Sequence, residues 1–445
     1  MPTQTNARTV NIGIIGLGTV GSGVARLLAA NHDEYLSAYG IDLRLVRACA
    51  RHPERAHELG LDADTFTTDW REVACDGAVD IVVELIGGRH PATEIMTEAF
   101  KRGKHVVSAN KALLAADMER LAQAARNAGV QLRCEASCAG GIPIIDALER
   151  GLAGNEMRTI AGIMNGTTNY ILSRMDAEGA GFEEVLKDAQ RLGYAEADPT
   201  ADVDGLDAAA KLAILSSIAF HTRVTSDDVS CQGIRAVSAT DISWAREHGM
   251  RIKLLGVGRK TPAGIEARVH PALIPANHLL ASVNGAMNAV YAVGDAVGET
   301  MFYGAGAGSL PTASAVMSDI LALAAPLAHG ADVAAESAPF KRRFAIAPVD
   351  EQESRFYMRI ELTEHTIAES GSVEDAADDV RRALAESGLP MNPEFCTVGH
   401  EAIYTTNVVT TAALRTALEH AGAIGIIERA ASIIRIEDTD AWSAA

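Results

Sequence analysis

Asp207 and Lys211 stand four residues apart in the run GYAEADPTADVDGLDAAAKLA, residues 193–213. Spacing of four puts both on one helix face. Around them Ala208, Ala209, Ala210, Leu212, Ala213, Ile214 and Leu215 are strong helix formers and apolar, which predicts a buried helix. On a solvated face the pair would be an ordinary ion pair worth about 0.2–0.5 kcal/mol. In a buried helix the Lys must be paired, and burial moves such a group toward a pKa useful for proton transfer. The preceding loop, punctuated by Gly193, Pro199 and Gly205, carries Tyr194, Glu196, Asp198, Asp202 and Asp204. A carboxylate there could receive a substrate ammonium.

A second constellation is Gly16, Gly18 and Gly21, a G-x-G-x-x-G between a strand-like run and a helix-like run that opens with Thr19 and Val20. Glycine-rich turns are common in a chain with 39 Gly, so the placement matters more than the pattern. Between strand and helix, such a turn brings backbone amides and a helix N-terminus against a dinucleotide pyrophosphate. The next strand ends with Arg47, Ala50, Arg51 and His52, and the first carboxylate is Glu54. An acidic residue there would hold the ribose of NAD; Arg51 suits a 2′-phosphate instead, so NADP is favoured over NAD. Lys111 follows Ser108-Ala109-Asn110 at a strand end and opens a helix, where a cation is unfavourable for stability, which points to a role in a site. Gly87 and Gly88 close another strand and leave room for the cofactor.

The elements that must carry these residues alternate. Val10–Ile15, Leu43–Ala50, Asp80–Leu85 and His105–Ser108 read as strands; Val20–Ala30, Pro91–Arg102 and Lys111–Asn127 read as helices; Gln131–Glu135 is extended. This is the rhythm of a Rossmann-type, doubly wound parallel α/β sheet over residues 1–136. A second unit over 137–330 opens with the turn Gly140–Pro143 and the helix Ile144–Gly151. It then has strands at Met157–Met164, Arg251–Gly258, Ile265–His270 and Ala289–Asp295, an α+β pattern for substrate binding and dimerisation. Asn165–Asn169 forms a hydroxyl- and amide-rich turn before a helix at Tyr170–Met175, either a plain N-cap or a donor set for a carboxylate. Gly304, Gly306 and Gly308 lead into a helix from Thr312.

Composition narrows the partners. The 445 residues carry a formal net charge of −19, which argues against nucleic acid and anionic membranes. Six scattered Cys without a CxxC pair, and an N-terminus without a signal-peptide pattern, predict reduced, mostly buried thiols in a cytoplasm. Cys134 and Cys138 lack a second Cys/His pair for zinc. The longest apolar run, Ile320–Ala328, contains Pro326 and is too short to span a bilayer.

Five further segments stand in order along the chain with the 193–213 run: GIIGLGTVGSGV, VVSANKALLA, ASCAGGIPII, AGIMNGTTNYIL and FYGAGAGSLPTASAV. Together they resemble the homoserine dehydrogenase family from Val10 to about His329. The resemblance implies NAD(P)-dependent interconversion of L-homoserine and L-aspartate 4-semialdehyde, in threonine, methionine and isoleucine biosynthesis. It implies Lys211 as general acid/base with Asp207 orienting it. Glu196, Gly193, Tyr194, Thr167, Asp202 and Lys111 would line the substrate, and Gly306 would close on the cofactor beside Gly16, Gly18, Gly21 and Gly87. It also implies a sodium ion held by Glu135 and the carbonyls of Cys138, Gly140 and Ile142; Cys138 stands where the family has a Val-like residue, and only its carbonyl would ligate. Two rival readings are a dehydrogenase of another amino-acid semialdehyde and a non-catalytic metabolite sensor. The intact Lys111, Glu196, Asp207 and Lys211 weigh against the sensor.

Beyond a linker at 331–350, residues 351–445 show strands at Arg355–Leu362, Ala402–Val409 and Ser432–Ile436 and helices at Val373–Ser387 and Ala412–His420. The order resembles an ACT domain, the amino-acid-sensing module often appended to this enzyme. Where that module has a Pro-Gly ligand turn, this chain has Thr363–Ala368. Weak or absent threonine inhibition is therefore expected, with the unit holding a homodimer or higher homo-oligomer together.

Overall fold

The computed structural model describes residues 8–331 and 340–442. Six strands, β1 (Thr9–Ile15), β2 (Asp42–Cys49), β3 (Phe66–Thr67), β4 (Ile81–Glu84), β5 (His105–Ser108) and β6 (Leu132–Arg133), form a parallel sheet in the order β3-β2-β1-β4-β5-β6. That order reverses between β1 and β4, the place where doubly wound sheets bind ligands. Near-continuous apolar strands such as Ile81-Val82-Val83 are buried on both faces, as helical cover on a parallel sheet requires. Helix α1 (Thr19–Ala30) follows β1, and α2 (Lys111–Asn127) follows β5 with a kink at Asp117. The extended run expected at Gln131–Glu135 shrinks to β6, because Glu135–Ser137 turns into a 3-10 helix.

The chain continues through the short helix Ile144–Asp146, widened into a π turn at Ala147–Gly151, to β7 (Met157–Ile163). Helix α3 spans Gly166–Glu178, so the expected turn at Asn165–Asn169 is already its cap and first helical turn. Asn165 accepts the Thr168 N–H at 2.9 Å and starts the helix four residues early. Helix α4 (Leu206–Phe220) is buried along almost its whole length. Strands β8 (Ser230–Cys231), β9 (Met250–Thr261), β10 (Gly264–Pro275), β11 (Met287–Gly294) and β12 (Gly298–Ala305) follow; β8 and β12 were not foreseen.

Helix α5 (Ser309–Ala328) ends the segment expected as the second unit, yet it packs on the first sheet. Ala313, Val316, Ile320, Leu323 and Ala324 share one core with Val10, Ile12, Ile14, Val83 and Val107. A side chain at Gly23 of α1 would stand 3.0 Å from Ala313 Cβ, so this glycine sets the approach of the two helices. Among the described residues α5 is the one helix long and apolar enough to cross a membrane; its apolar faces serve this core instead.

The C-terminal segment forms β13 (Glu353–Leu362), a short helix Glu364–Ser370, α6 (Val373–Glu386), β14 (Met391–Val398), β15 (Glu401–Thr406), β16 (Val409–Thr410), α7 (Thr411–Ala423) and β17 (Ile427–Ile436). The short helix and β14 were not anticipated. Its four long strands run in the order β17-β13-β15-β14 and join the second sheet, β12-β11-β7-β9-β10, by a short parallel pairing of β10 with β17. Part of the expected linker lies outside the described residues. Its later half is tied down: Ile265 donates to Ala345 O at 2.8 Å and Ala347 donates to Ile265 O at 2.9 Å. All six cysteines are free, and Cys231 and Cys396 are exposed rather than buried because they sit on a short surface strand and on the edge strand β14.

Candidate active site

The glycine turn is built for close backbone approach. Gly16 has φ +108°, and a Cβ there would lie 2.7 Å from Leu85 O; a Cβ on Gly21 would lie 1.8 Å from Gly16 O. No side chain caps α1 at Gly18, so the first-turn amides, including those of Thr19 and Val20, are free of a capping acceptor. This cradle fits a pyrophosphate by both shape and charge. At the end of β2, Arg47 is taken by Asp76 at 2.7 Å, whereas Arg51 is exposed and unpaired among the described residues. Gly87, at φ +72°, and Gly88 lie past β4. There the buried Glu84, which the sequence reading overlooked, accepts Ser108 Oγ at 2.8 Å and the Ile86 N–H at 2.9 Å. Burial raises the Glu84 pKa. Asn110 caps α2 through the Leu113 N–H and donates to Gly88 O at 2.6 Å, which sets where Lys111 begins.

Lys111 reaches from α2 to Asp207 Oδ1 on α4. The other oxygen, Oδ2, accepts Lys211 Nζ at 2.7 Å. Lys211 also donates to Met164 O at 2.8 Å, at the end of β7. Burial alone would raise the Asp207 carboxyl, but Lys211 and Lys111 hold it well below the usual carboxylate range. Lys211 is 8% exposed, as the apolar flanks predicted. One buried carboxylate thus serves two lysines from different elements.

Asn165, expected as an N-cap or part of a donor set for a carboxylate, is in addition a joint between two acidic side chains. Its Nδ2 donates to Asp207 Oδ2 at 2.9 Å and to Asp202 Oδ1 at 2.7 Å. Asp202 is therefore held on the edge of the lysine cluster. Thr167 Oγ1 donates to Tyr194 O at 2.6 Å, so its hydroxyl anchors the 193–198 loop and is not a free donor for a carboxylate. Gly193, at φ +79°, lets the loop turn, and the Tyr194 ring rests 4.7 Å from that of Tyr170. Glu196 is exposed and its carboxylate has no partner among the described residues. The structure does not bring its side chain into the lysine cluster.

Glu135 is buried, and its oxygens accept the Ile145 and Asp146 N–H groups at 2.8 and 2.7 Å. Burial raises its pKa. The buried Cys138 and Gly140 carbonyls meet no donor among the described residues, and the Ile142 carbonyl accepts Ile144 N–H at 2.8 Å. Cys138 Sγ contacts Lys211 O at 3.7 Å, which sets this loop against α4. No group of three His, Cys, Asp or Glu side chains arranged to hold a metal ion exists among the described residues, so a cation here would rest chiefly on backbone oxygens. Gly140 abuts Gly306: a Cβ on Gly140 would lie 2.6 Å from Gly306 O, and one on Gly306 would collide with Asn288 at 2.0 Å. Asn288 is wholly buried with neither side-chain polar atom bonded, and nothing in its local sequence marked it.

A Rossmann sheet with an anion cradle, together with a Lys–Asp–Lys cluster whose Asp207 and Lys211 are buried, defines a dinucleotide-dependent oxidoreductase. The comparisons sharpen this. The family model for homoserine dehydrogenase matches residues 143–321, and that for the homoserine dehydrogenase NAD-binding domain matches 16–135. Homoserine dehydrogenase of Neisseria gonorrhoeae is 41% identical over 436 residues, covering 97% of this chain and 99% of its own. The crystal structure of a homoserine dehydrogenase from Thiobacillus denitrificans superposes with TM-score 0.87 at 41% identity, covering 97% and 99%. A hyperthermophilic archaeal homoserine dehydrogenase mutant matches with TM-score 0.61 at 27% identity, covering 71% of this chain and 98% of its own. The chain belongs to the homoserine dehydrogenase family, oxidoreductases that interconvert L-homoserine and L-aspartate 4-semialdehyde.

Proposed function

We propose that Lys211 is the general acid/base of this reaction. The observation that carries the reading is its ammonium, buried and bonded to Met164 O and to Asp207, the carboxylate that also binds Lys111 at the end of the parallel sheet. When bound, the nicotinamide supplies or accepts hydride. Lys211 would donate a proton to the aldehyde oxygen in reduction and take it from the hydroxyl in oxidation. Asp207 orients Lys211 and shares its charge with Lys111, which lies toward the cofactor domain. Glu196 would receive the substrate ammonium, with Asp202 assisting and Gly193, Tyr194 and the α3 entry at Thr167 lining the pocket. Because the Thr167 hydroxyl is engaged, its contribution to the substrate carboxylate would come through its backbone N–H at the helix N-terminus.

NADP is favoured over NAD, supported by the unpaired Arg51 and by a relative, the archaeal enzyme, described in complex with NADPH. A sodium ion on Glu135, Cys138 O, Gly140 O and Ile142 O is supported by the buried carbonyls that lack donors. Assembly into a homodimer or larger homo-oligomer is supported by edge strand β12, near which Tyr303 and Val297 are 56% and 45% exposed. Work in the cytoplasm is supported by six unpaired cysteines. An ACT-like C-terminal unit is supported by its element order, which apart from the short helix Glu364–Ser370 and the two-residue β16 reads β-α-β-β-α-β. Thr363 spends its hydroxyl on capping the short helix and on Gly425 O, which supports a structural role for that turn. Steady-state assays with homoserine and each cofactor, with and without threonine and sodium, test the whole reading. NAD-only turnover, or strong threonine inhibition lost on truncation after Asp350, would overturn its respective part.

A further inference from the structure

Strand β10 carries Arg268 and His270 to the seam where Ala272 pairs with Arg435 and Leu273 with Ile436 of β17. A cavity of about 340 Å³ lies beside this seam, between β10 and helix α7. It belongs to neither the cofactor cradle nor the lysine cluster. Leu414, Leu418 and Phe356 form an apolar wall; the buried Arg268, His270 and Arg435 line it, as does the exposed pair Arg415 and Glu419, 3.9 Å apart.

The charges on that lining are unequal. Arg268 is matched by Glu266 at 2.8 Å and Glu437 at 2.9 Å. His270 Nε2 lies 2.9 Å from the same Glu437, and burial holds this imidazole down at about 4, so it is neutral near pH 7. Arg435 is 7% exposed and has no carboxylate partner among the described residues. Its Nη2 donates to Thr411 Oγ1 at 2.7 Å, its guanidinium lies 4.8 Å from the Phe356 ring, and its Nη1 has no hydrogen-bond partner. Burial and the nearby Arg268 pull Arg435 down to about 10. Glu437 and Glu266 act on Arg435 only from beyond contact distance; a buried cation without a contacting carboxylate is costly, and an anion in the cavity lowers that cost. A buried guanidinium whose Nη1 has no partner among the described residues, beside an apolar wall, suits a monoanion with an apolar tail better than a multiply charged phosphate.

We propose that this cavity is a binding site for a small carboxylic acid, its carboxylate answering Arg435 and its apolar tail resting on Leu414, Leu418 and Phe356. The probe is 3-methylbutanoate, titrated calorimetrically into the full chain, with 3-methylbutylamine as the cationic analogue of similar shape. Two variants locate the site: Arg435→Met removes the charge, and Leu418→Trp fills the cavity while leaving every charge in place. The expected result is one-to-one binding of the acid, none of the amine, and at least a tenfold loss in both variants. Failure of the acid to bind the wild-type chain, equal binding of the amine, or unchanged binding in Leu418→Trp overturns the proposal. If Arg435→Met fails to fold, the Leu418→Trp titration decides alone.

Discussion

Lys111 and Lys211 grip opposite oxygens of one carboxylate, Asp207, although Lys111 opens a helix of the parallel sheet and Lys211 lies inside the helix after the acidic loop. The contact stitches helix α2, which follows the parallel sheet, to helix α4 of the following segment. It also explains a cation at the start of α2: what costs stability against the helix dipole is offset by a buried counter-charge.

Loss of the acid/base should separate chemistry from binding. Lys211→Ala is expected to lower turnover by about 10²–10⁴-fold, the usual contribution of such a group. The glycine cradle is untouched, so cofactor affinity should change little. Stopped-flow turnover together with fluorescence titration of the cofactor checks both halves, and a variant with wild-type turnover sinks the assignment.

The proposed ammonium contact is tested at Glu196. Converting it to Gln replaces a charged contact worth about 1.5–3 kcal/mol by a neutral one, so KM for homoserine should rise roughly ten- to a hundredfold. Its side chain has no internal partner among the described residues, so folding stability should stay the same. A defect confined to cofactor binding would mean that the loop faces elsewhere.

Asn165 couples helix capping to the Lys–Asp–Lys cluster, because one side chain caps α3 and donates to both Asp207 and Asp202. Asn165→Ala should cost about 0.5–2 kcal/mol of stability for the lost cap. Beyond that, it should lower kcat and shift the pH–rate profile, which loss of a cap alone would not do. A profile superposable on the wild type would restrict Asn165 to capping.

The buried seam should make the chain acid-sensitive. Burial pulls the His270 imidazole from 6.5 down to about 4. Its stabilising contribution is therefore complete above pH 6.5 and is lost as pH falls toward 4, because the unfolded chain takes up the proton first. The loss is at most about 3 kcal/mol. Denaturant titrations of wild type and His270→Gln across this range should show a flatter profile for the variant; parallel profiles would assign the acid sensitivity to other groups.

Local pattern carried much of this molecule. Strand β5 and helix α2 follow the sequence residue for residue, since apolar runs and an Asn cap are local signals. The Asp207–Lys211 pair and the burial of its helix were likewise legible, because spacing of four and apolar flanks act within a few turns. Two-residue strands such as β3 and β8 gave no periodicity to read, and β12 faces solvent too evenly to alternate. What only the tertiary structure decided were meetings between distant segments. Lys111 joins Asp207 across 96 residues, the Thr167 hydroxyl is claimed by Tyr194 O, and α5 returns to the first sheet. Arg435 is buried without a contacting carboxylate among the described residues because β17 pairs with β10. Sequence fixes which groups are charged or apolar, but partnership and desolvation arise from packing of segments far apart in the chain, and those two decide what a buried charge can do.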